Sequence, residues 1–320
     1  MSSRKNDSKK VNMHLRNKNR ERYDLKAMVA TSPELKQFIQ PNKVGEDSIN
    51  FSKPEAVKAL NTAILQHYYG IDYWDFPKEN LCPAIPGRAE YIHHMADLLT
   101  EYNDGKMPRG NNITCLDVGT GASCVYPIIG VTEYDWNFIG SEIDDKSLDA
   151  AQRIVDDNPM LRNKIALRKQ DNFKRIFGGI LNKTDQVDMV ICNPPFHASV
   201  LDARKGSRRK VKNLTGQKTK KPELNFSGNR HELVYKGGEY QFICNMITES
   251  KVFAKQCFWF STLVSKESNL KKIYQYLERR KPTEVGTIDI KTGNKTGRIV
   301  AWTYFTDRDI ARWQRDKRRR

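Results

Sequence analysis

Residues 113–123 read ITCLDVGTGAS. The first part is a short apolar run, the kind that forms a strand covered on both faces. It ends in a turn of small residues, Asp117-Val118-Gly119-Thr120-Gly121-Ala122-Ser123. A turn-and-helix segment follows, then a second run, NFIGSEID (137–144), which ends in acids. Further on, Leu148 to Asp157 reads as a helix stopped by Asn158-Pro159. IALRKQ (165–170) and VDMVICNPPF (187–196) read as strands, GGEYQFICNMITESKVFAKQ (237–256) as an amphipathic helix, and CFWFSTLV (257–264) as a fifth strand. Leu270 to Arg280 is helical, and EVGTIDI (284–290) and IVAWTYF (299–305) are the sixth and seventh strands. Strands alternating with helices over about residues 112–305 predict a parallel α/β sheet. Toward the N-terminus the pattern is helical. Tyr91 to Tyr102 carries Met95, Leu98 and Leu99 on one side, a helix from Pro54 carries Val57, Leu60, Ile64 and Leu65, and a third stretch starts near Ser32 with Pro33 in its first turn.

The glycine turn suits a nucleotide-like ligand, because glycine permits a tight turn and a close approach to backbone. Glu142 ends the second strand 23 residues after Gly119 (142 − 119) and can accept hydrogen bonds from ribose hydroxyls. A dinucleotide and S-adenosylmethionine compete for this reading. The dinucleotide fingerprint places a third glycine where this chain has Cys124. S-adenosylmethionine has no pyrophosphate and needs only the shorter turn.

Asn193-Pro194-Pro195-Phe196 lies 74 residues beyond Gly119 (193 − 119). A central strand excludes proline, so the pair lies past the strand's C-terminal end, where open α/β sheets bind ligands. The prolines stiffen the turn and remove two donors. The exocyclic amine of an aromatic ring is a poor nucleophile because its lone pair is delocalised. An Asn193 side-chain oxygen and a proline carbonyl can each accept one amine hydrogen and turn the lone pair toward an incoming methyl group. Phe196 can stack on the base.

Lys+Arg 55 against Asp+Glu 38 gives a net charge of +17, which favours a polyanionic partner. No stretch approaches the ~18 consecutive apolar residues of a membrane helix, and the basic N-terminus has no apolar signal core. The expectation is a soluble cytoplasmic protein without a membrane partner, and a monomer. The six cysteines form no C-x-x-C pair and read as buried thiols. The adjacent His93 and His94 cannot share a metal as an i, i+4 pair could, so no metal is expected. Basic residues concentrate in an arm at 1–26, with Arg16, Arg20 and Arg22, and in a loop at about 197–238, with Arg204, Lys205, Arg208, Arg209 and Lys210. Both are read as nucleic-acid contacts. The division expected is a basic, helical region at 1–110 and an α/β domain at 111–320.

The glycine turn together with NPPF resembles the class I adenine-N6 methyltransferases. The strings RNKNRERYDL (16–25), VKALN (57–61), PGRAEYIHHMADLL (86–99), LDVGTGASCVYPIIGV (116–131), SEIDD (141–145), CNPPFH (192–197), GGEYQFICNMITES (237–250), TLVS (262–265) and RIVAWTY (298–304) resemble the RlmF-type bacterial 23S rRNA adenine-N6 methyltransferases. Those are related to the eukaryotic U6 small nuclear RNA adenine methyltransferase. The resemblance implies a Rossmann-like seven-stranded sheet, S-adenosyl-L-methionine as methyl donor and 23S rRNA or a large-subunit precursor as partner. It makes the basic arm and loop RNA contacts, 1–110 an RNA-binding, cofactor-capping region and 111–320 a methyltransferase domain. It places cofactor contacts on Arg88, Asp117, Gly119, Gly121, Ser123, Glu142, Asn172 and Asn193, and catalysis on Asn193, Pro194, Pro195 and Phe196. Rival readings are an adenine-N6 or amide methyltransferase acting on another RNA, DNA or protein, and a non-catalytic RNA-binding protein on the same fold.

Overall fold

A computed structural model describes residues 13–199, 202, 233–292 and 295–319. Seven strands form one sheet: β3 (Thr114–Val118), β4 (Asn137–Glu142), β5 (Ile165–Lys169), β6 (Val187–Cys192), β7 (Cys257–Val264), β8 (Glu284–Thr292) and β9 (Lys295–Thr303). Their order is β5-β4-β3-β6-β7-β9-β8. The five strands from β5 to β7 are parallel, but β9 runs antiparallel to both β7 and β8. The sheet is therefore mixed, where the alternation of elements predicted a parallel one. Only residues 293–294 separate β8 from β9, and a parallel crossover needs a dozen or more.

Helices cover both faces. α4 (Val125–Tyr134), α5 (Asp145–Asp156), α6 (Gly238–Ser250) and α7 (Glu267–Arg280) alternate with the strands, and α8 (Asp307–Arg319) follows them. Side-chain alternation along β6 divides the core: Met189 and Ile191 join one cluster, Val190 and Cys192 the other. The first cluster also takes Met28, Leu60, Ile64, Ile92, Met95 and Leu99 from the N-terminal helices α1 (Leu25–Thr31), α2 (Pro54–Tyr69) and α3 (Ile85–Glu101), so the N-terminal region and the sheet share one apolar core. The second cluster is completed by Ile243, Met246 and Ile247 of α6 and Ile273 and Leu277 of α7.

α2 starts at Pro54 and stops at Gly70, which has φ +67° and closes the last turn. The stretch after Ser32 makes only a 3-10 turn, Pro33–Phe38, before the chain enters the short hairpin β1 (Ile39–Pro41) and β2 (Asp47–Ile49). The helix read from Tyr91 begins earlier, at Ile85, with Pro86 in its first turn. Five of the six cysteines are buried free thiols, and Cys82 is partly buried.

Candidate active site

The chain order reverses between β3 and β6, and a cavity of about 1020 Å³ opens at the C-terminal ends of these strands. Open α/β sheets take their ligands at such a switch point. Gly119 and Gly121 have φ +72° and +66°, in the left-handed region that favours glycine. Open space lies where a Gly119 side chain would stand. Cys124, also left-handed at φ +50°, caps α4.

Hydrogen bonds fix this turn. The Gly119 and Thr120 N–H groups donate to the Ser141 carbonyl at 3.0 and 2.9 Å. Glu142 accepts three backbone N–H groups, from Gly121 (2.9 Å), Ile143 (2.7 Å) and Asp144 (3.0 Å). Burial still holds its carboxyl above the ordinary range. The indole of Trp74 donates to the Ser123 carbonyl at 2.8 Å, so the N-terminal region holds the turn from outside.

Among the described residues, two groups here lack a hydrogen-bond partner of normal geometry. Neither carboxylate oxygen of the fully buried Asp117 accepts a hydrogen bond of normal geometry, and neither does the buried Oδ1 of Asn193. Val118 pairs with Cys192 in register, so Asp117 and Asn193 sit at neighbouring strand ends. Burial pushes the Asp117 carboxyl up to about 7, with Glu142 adding to the effect and the Thr120 hydroxyl and Arg88 opposing it. Unsatisfied buried acceptors are rare in folded proteins and call for an explanation; Asn193 lines the cavity, where a ligand can bring the missing donor, and Asp117 is the neighbour of Val118 in its wall. The set fits a nucleoside that carries a free amino-acid group: an ammonium for Asp117, ribose hydroxyls for Glu142 and a carboxylate for Arg88. The Arg88 guanidinium lies 5.9 Å from the Tyr126 ring centroid on the same wall.

A hydroxyl chain anchors the strand exit that carries NPPF. The Cys192 N–H donates to the Tyr91 hydroxyl (3.3 Å), Tyr91 pairs with Ser261 Oγ (2.9 Å), and Ser261 donates to the Val190 carbonyl (2.6 Å). Because Tyr91 accepts from Cys192 and Ser261 donates to Val190, Tyr91 is the donor to Ser261. Burial raises the Tyr91 hydroxyl far above its usual range, so it remains a neutral donor.

Of the expected cofactor contacts, Arg88, Gly119, Gly121, Ser123, Glu142 and Asn193 line the cavity, and Asp117 lies directly behind it. Asn172 does not line it. Its Oδ1 accepts the Lys174 N–H (3.0 Å) and shapes a turn, while its neighbours Gln170 and Phe173 reach the cavity. Of the turn, Asn193 and Pro195 are lining residues; Pro194 is buried behind them, and Phe196 is half-buried with its carbonyl held by Lys266 (3.2 Å). The opposite wall contains Tyr235, Gln241, Phe242 and Asn245, which the sequence did not mark. Tyr235 and Phe242 meet edge to face at 5.1 Å, and Asn245 donates to the Tyr235 hydroxyl at 2.7 Å. His197 bridges to this wall: its N–H donates to the Leu233 carbonyl, and its carbonyl accepts the Tyr235 N–H, each at 3.0 Å.

The described part of the basic arm is bonded to the body. Arg16, expected to contact RNA, donates to the Tyr134 hydroxyl (2.9 Å), the His93 carbonyl (3.1 Å) and Asp97 (2.5 Å). Lys18 pairs with Glu133 and Arg22 with Glu46. Arg20 has its Nε buried without a partner. His14, His94 and Asp97 bring ligand atoms within 4.8 Å of one another. However, His14 Nδ1 accepts the Arg16 N–H (3.1 Å), which leaves the proton on Nε2, facing Asp97 at 2.7 Å. That tautomer makes the group a clamp for the arm, and a cation would have to break it. His93 is buried beneath the clamp, which lowers its pKa to about 3, and His14 and Arg16 add to the shift. Arg204, Lys205, Arg208, Arg209 and Lys210 lie outside the described residues.

Residues 7–306 match the model of a family described as RNA methyltransferase. Two proteins named ribosomal RNA large subunit methyltransferase F are similar along nearly their whole length. The protein from Cytophaga hutchinsonii is 49% identical over 304 residues, covering 95% of this chain and 94% of that protein. The protein from Yersinia enterocolitica is 46% identical over 309 residues, covering 96% and 92%. Among solved structures, the catalytic domain of human METTL16 with the MAT2A 3′UTR hairpin 1 superposes with a TM-score of 0.78 at 30% identity, covering 92% of this chain and 96% of that one. The N-terminal domain of human METTL16 in complex with SAH gives 0.72 at 27%, covering 92% and 99%. The glycine turn, Glu142 and the Asn193 turn thus stand in a chain that belongs to this family of RNA methyltransferases.

Proposed function

We propose that the protein transfers a methyl group from S-adenosylmethionine to the exocyclic N6 amine of one adenosine in 23S rRNA, as free rRNA or within a large-subunit precursor. The observation that carries this reading is the pair of unpartnered buried acceptors, Asp117 and Asn193, on neighbouring strand ends beside a glycine turn. The relatives named as ribosomal RNA large subunit methyltransferases and the solved METTL16–RNA complex support RNA as the substrate. The METTL16 complex with SAH supports the donor.

The bound donor supplies an electrophilic methyl group. The chain supplies positioning. Asp117 takes the donor's ammonium, Arg88 its carboxylate and Glu142 its ribose, which leaves the reacting end facing Asn193. Asn193 Oδ1 and the Pro194 carbonyl each accept one hydrogen of the adenine amine. Both bonds strengthen as positive charge develops on nitrogen, so they stabilise the transition state more than the bound substrate. Phe196 stacks on the base, and the Tyr91 chain holds the strand exit so that Asn193 keeps its aim. No general base is required, because the methylated ammonium loses its proton readily to water.

Mass-spectrometric mapping of methyladenosine in 23S rRNA from a strain lacking the protein tests this. One N6-methyladenosine should disappear and return with the parent gene but not with Asn193→Ala. An unchanged 23S rRNA map refutes the proposal.

A further inference from the structure

Phe173 is 67% exposed, the most exposed of the large apolar aromatic side chains among the described residues, and it lines the cavity mouth. Leaving such a ring in water forgoes the stabilisation that burial of a phenylalanine brings. Its position is fixed by the chain on both sides. Arg175 N–H donates to the Asn172 carbonyl (2.9 Å), Lys174 N–H to Asn172 Oδ1 (3.0 Å), and Asn172 N–H to Gln170 Oε1 (3.0 Å). The next three N–H groups, of Ile176, Phe177 and Gly178, all donate to the Glu249 carboxylate at 2.7, 3.2 and 2.7 Å. The ring thus stands at the tip of a pre-formed turn. The exposed Lys174 and Arg175 follow it and also line the mouth, with the Lys174 ammonium 5.8 Å from the ring centroid.

An exposed aromatic face with two adjacent cations is the combination that binds single-stranded nucleic acid: the ring takes a base and the cations take phosphates. We propose that Phe173 is a stacking platform for an unpaired base next to the target adenosine, with Lys174 and Arg175 on the adjoining phosphates. This site lies outside the glycine turn and outside NPPF, and it rests on the reading of the protein as an RNA methyltransferase that takes a splayed adenosine. Stacking needs a π-face of any identity, so the platform grips the strand without reading sequence. Pre-organisation of the turn spares the ordering that a flexible loop would require on binding.

The test uses the full chain with a 23S rRNA transcript. RNA affinity is measured by filter binding, methyl transfer by KM and kcat, and donor affinity by calorimetry with S-adenosylhomocysteine. Stacking by one base corresponds to an affinity change of about five- to a hundredfold, so Phe173→Ala should raise both Kd and KM for RNA by that factor. Phe173→Trp should restore them, and Phe173→Leu, apolar but without a π-face, should not. Donor affinity and melting temperature should stay at the parent values. RNA binding by Phe173→Ala or Phe173→Leu equal to the parent overturns the proposal. A loss of donor affinity matching the loss of RNA affinity also overturns it, because the ring would then belong to the donor's site. If the parent binds the transcript but does not methylate it, the proposed function fails, and the filter-binding comparison alone still decides the platform.

Discussion

Asp117 couples donor binding to pH. Its carboxyl is fully buried, faces no donor of normal geometry and has its midpoint near neutrality, at about 7. An ammonium ligand binds the ionised form, so binding expels the proton that the free site holds. With the ionised form required, the competent fraction rises from about 3% at pH 5.5 to about 50% at pH 7, a gain of about fifteenfold in affinity. Glu142 is also raised, and it adds to any loss of affinity at the acid end. Asp117→Asn isolates the first effect: affinity at pH 7 should fall, and the slope between pH 6 and 7 should flatten. Calorimetry with S-adenosylhomocysteine in buffers of different ionisation enthalpy reads both the affinity and the proton release. In the free protein the folded carboxyl holds its proton more tightly than the unfolded one, so stability is lost as pH rises from about 4 to about 7. Asp117→Asn should remove that loss. An affinity that is flat from pH 5.5 to 7 in the parent, or a slope that Asp117→Asn leaves intact, refutes the assignment of the ammonium to Asp117.

Three further outcomes follow from the contacts. Asn193→Ala should lower kcat by two to three orders of magnitude, equivalent to about 3–4 kcal/mol of lost transition-state stabilisation, with RNA KM near the parent value; a kcat at the parent level contradicts the role of the amide oxygen. Tyr91→Phe leaves the Cys192 N–H buried without its acceptor and should reduce stability by about 1–3 kcal/mol, with kcat falling while donor affinity holds. Arg16→Ala breaks three hydrogen bonds between the arm and the body and should lower the melting temperature while leaving the salt dependence of RNA binding at the parent slope; a flatter slope would return Arg16 to the RNA contacts.

The central parallel strands were legible because they read as apolar runs, and β6 is buried at every position, whereas β5 lies at the sheet edge. The reversal of β9 was also present in the sequence, because the sixth and seventh strands as read (284–290 and 299–305) leave too few residues for a parallel crossover, but strand period carries no direction. α8 went unread because Ile310 and Trp313 are its only large apolar residues among many charged ones. Its signal was the capping box Thr306-Asp307-Arg308-Asp309, in which Asp309 accepts the Thr306 N–H and Thr306 Oγ1 accepts the Asp309 N–H. The glycine turn and Asn193 were legible because their chemistry is local. Tyr235, Gln241, Phe242 and Asn245 were not, although GGEYQFICNMITES (237–250) contains the last three, because they lie far along the chain from NPPF and nothing local places them at the cavity. The intramolecular partners of the arm were not legible, because Asp97 and Glu133, which neutralise Arg16 and Lys18, lie far along the chain.

That separation sets the order in which the native chain assembles. Tyr134, which Arg16 contacts, is made 118 residues later, and its other partners come from α3. The arm cannot dock until α3 and α4 have packed together, and long-range closures of this kind come late in folding. It is held mainly by polar contacts to side chains already in place, so it contributes little to the nucleus. During synthesis Arg16 and Lys18 leave the ribosome before Asp97 and Glu133, so their positive charge stays unpaired beside the ribosome until α3 and α4 have been made.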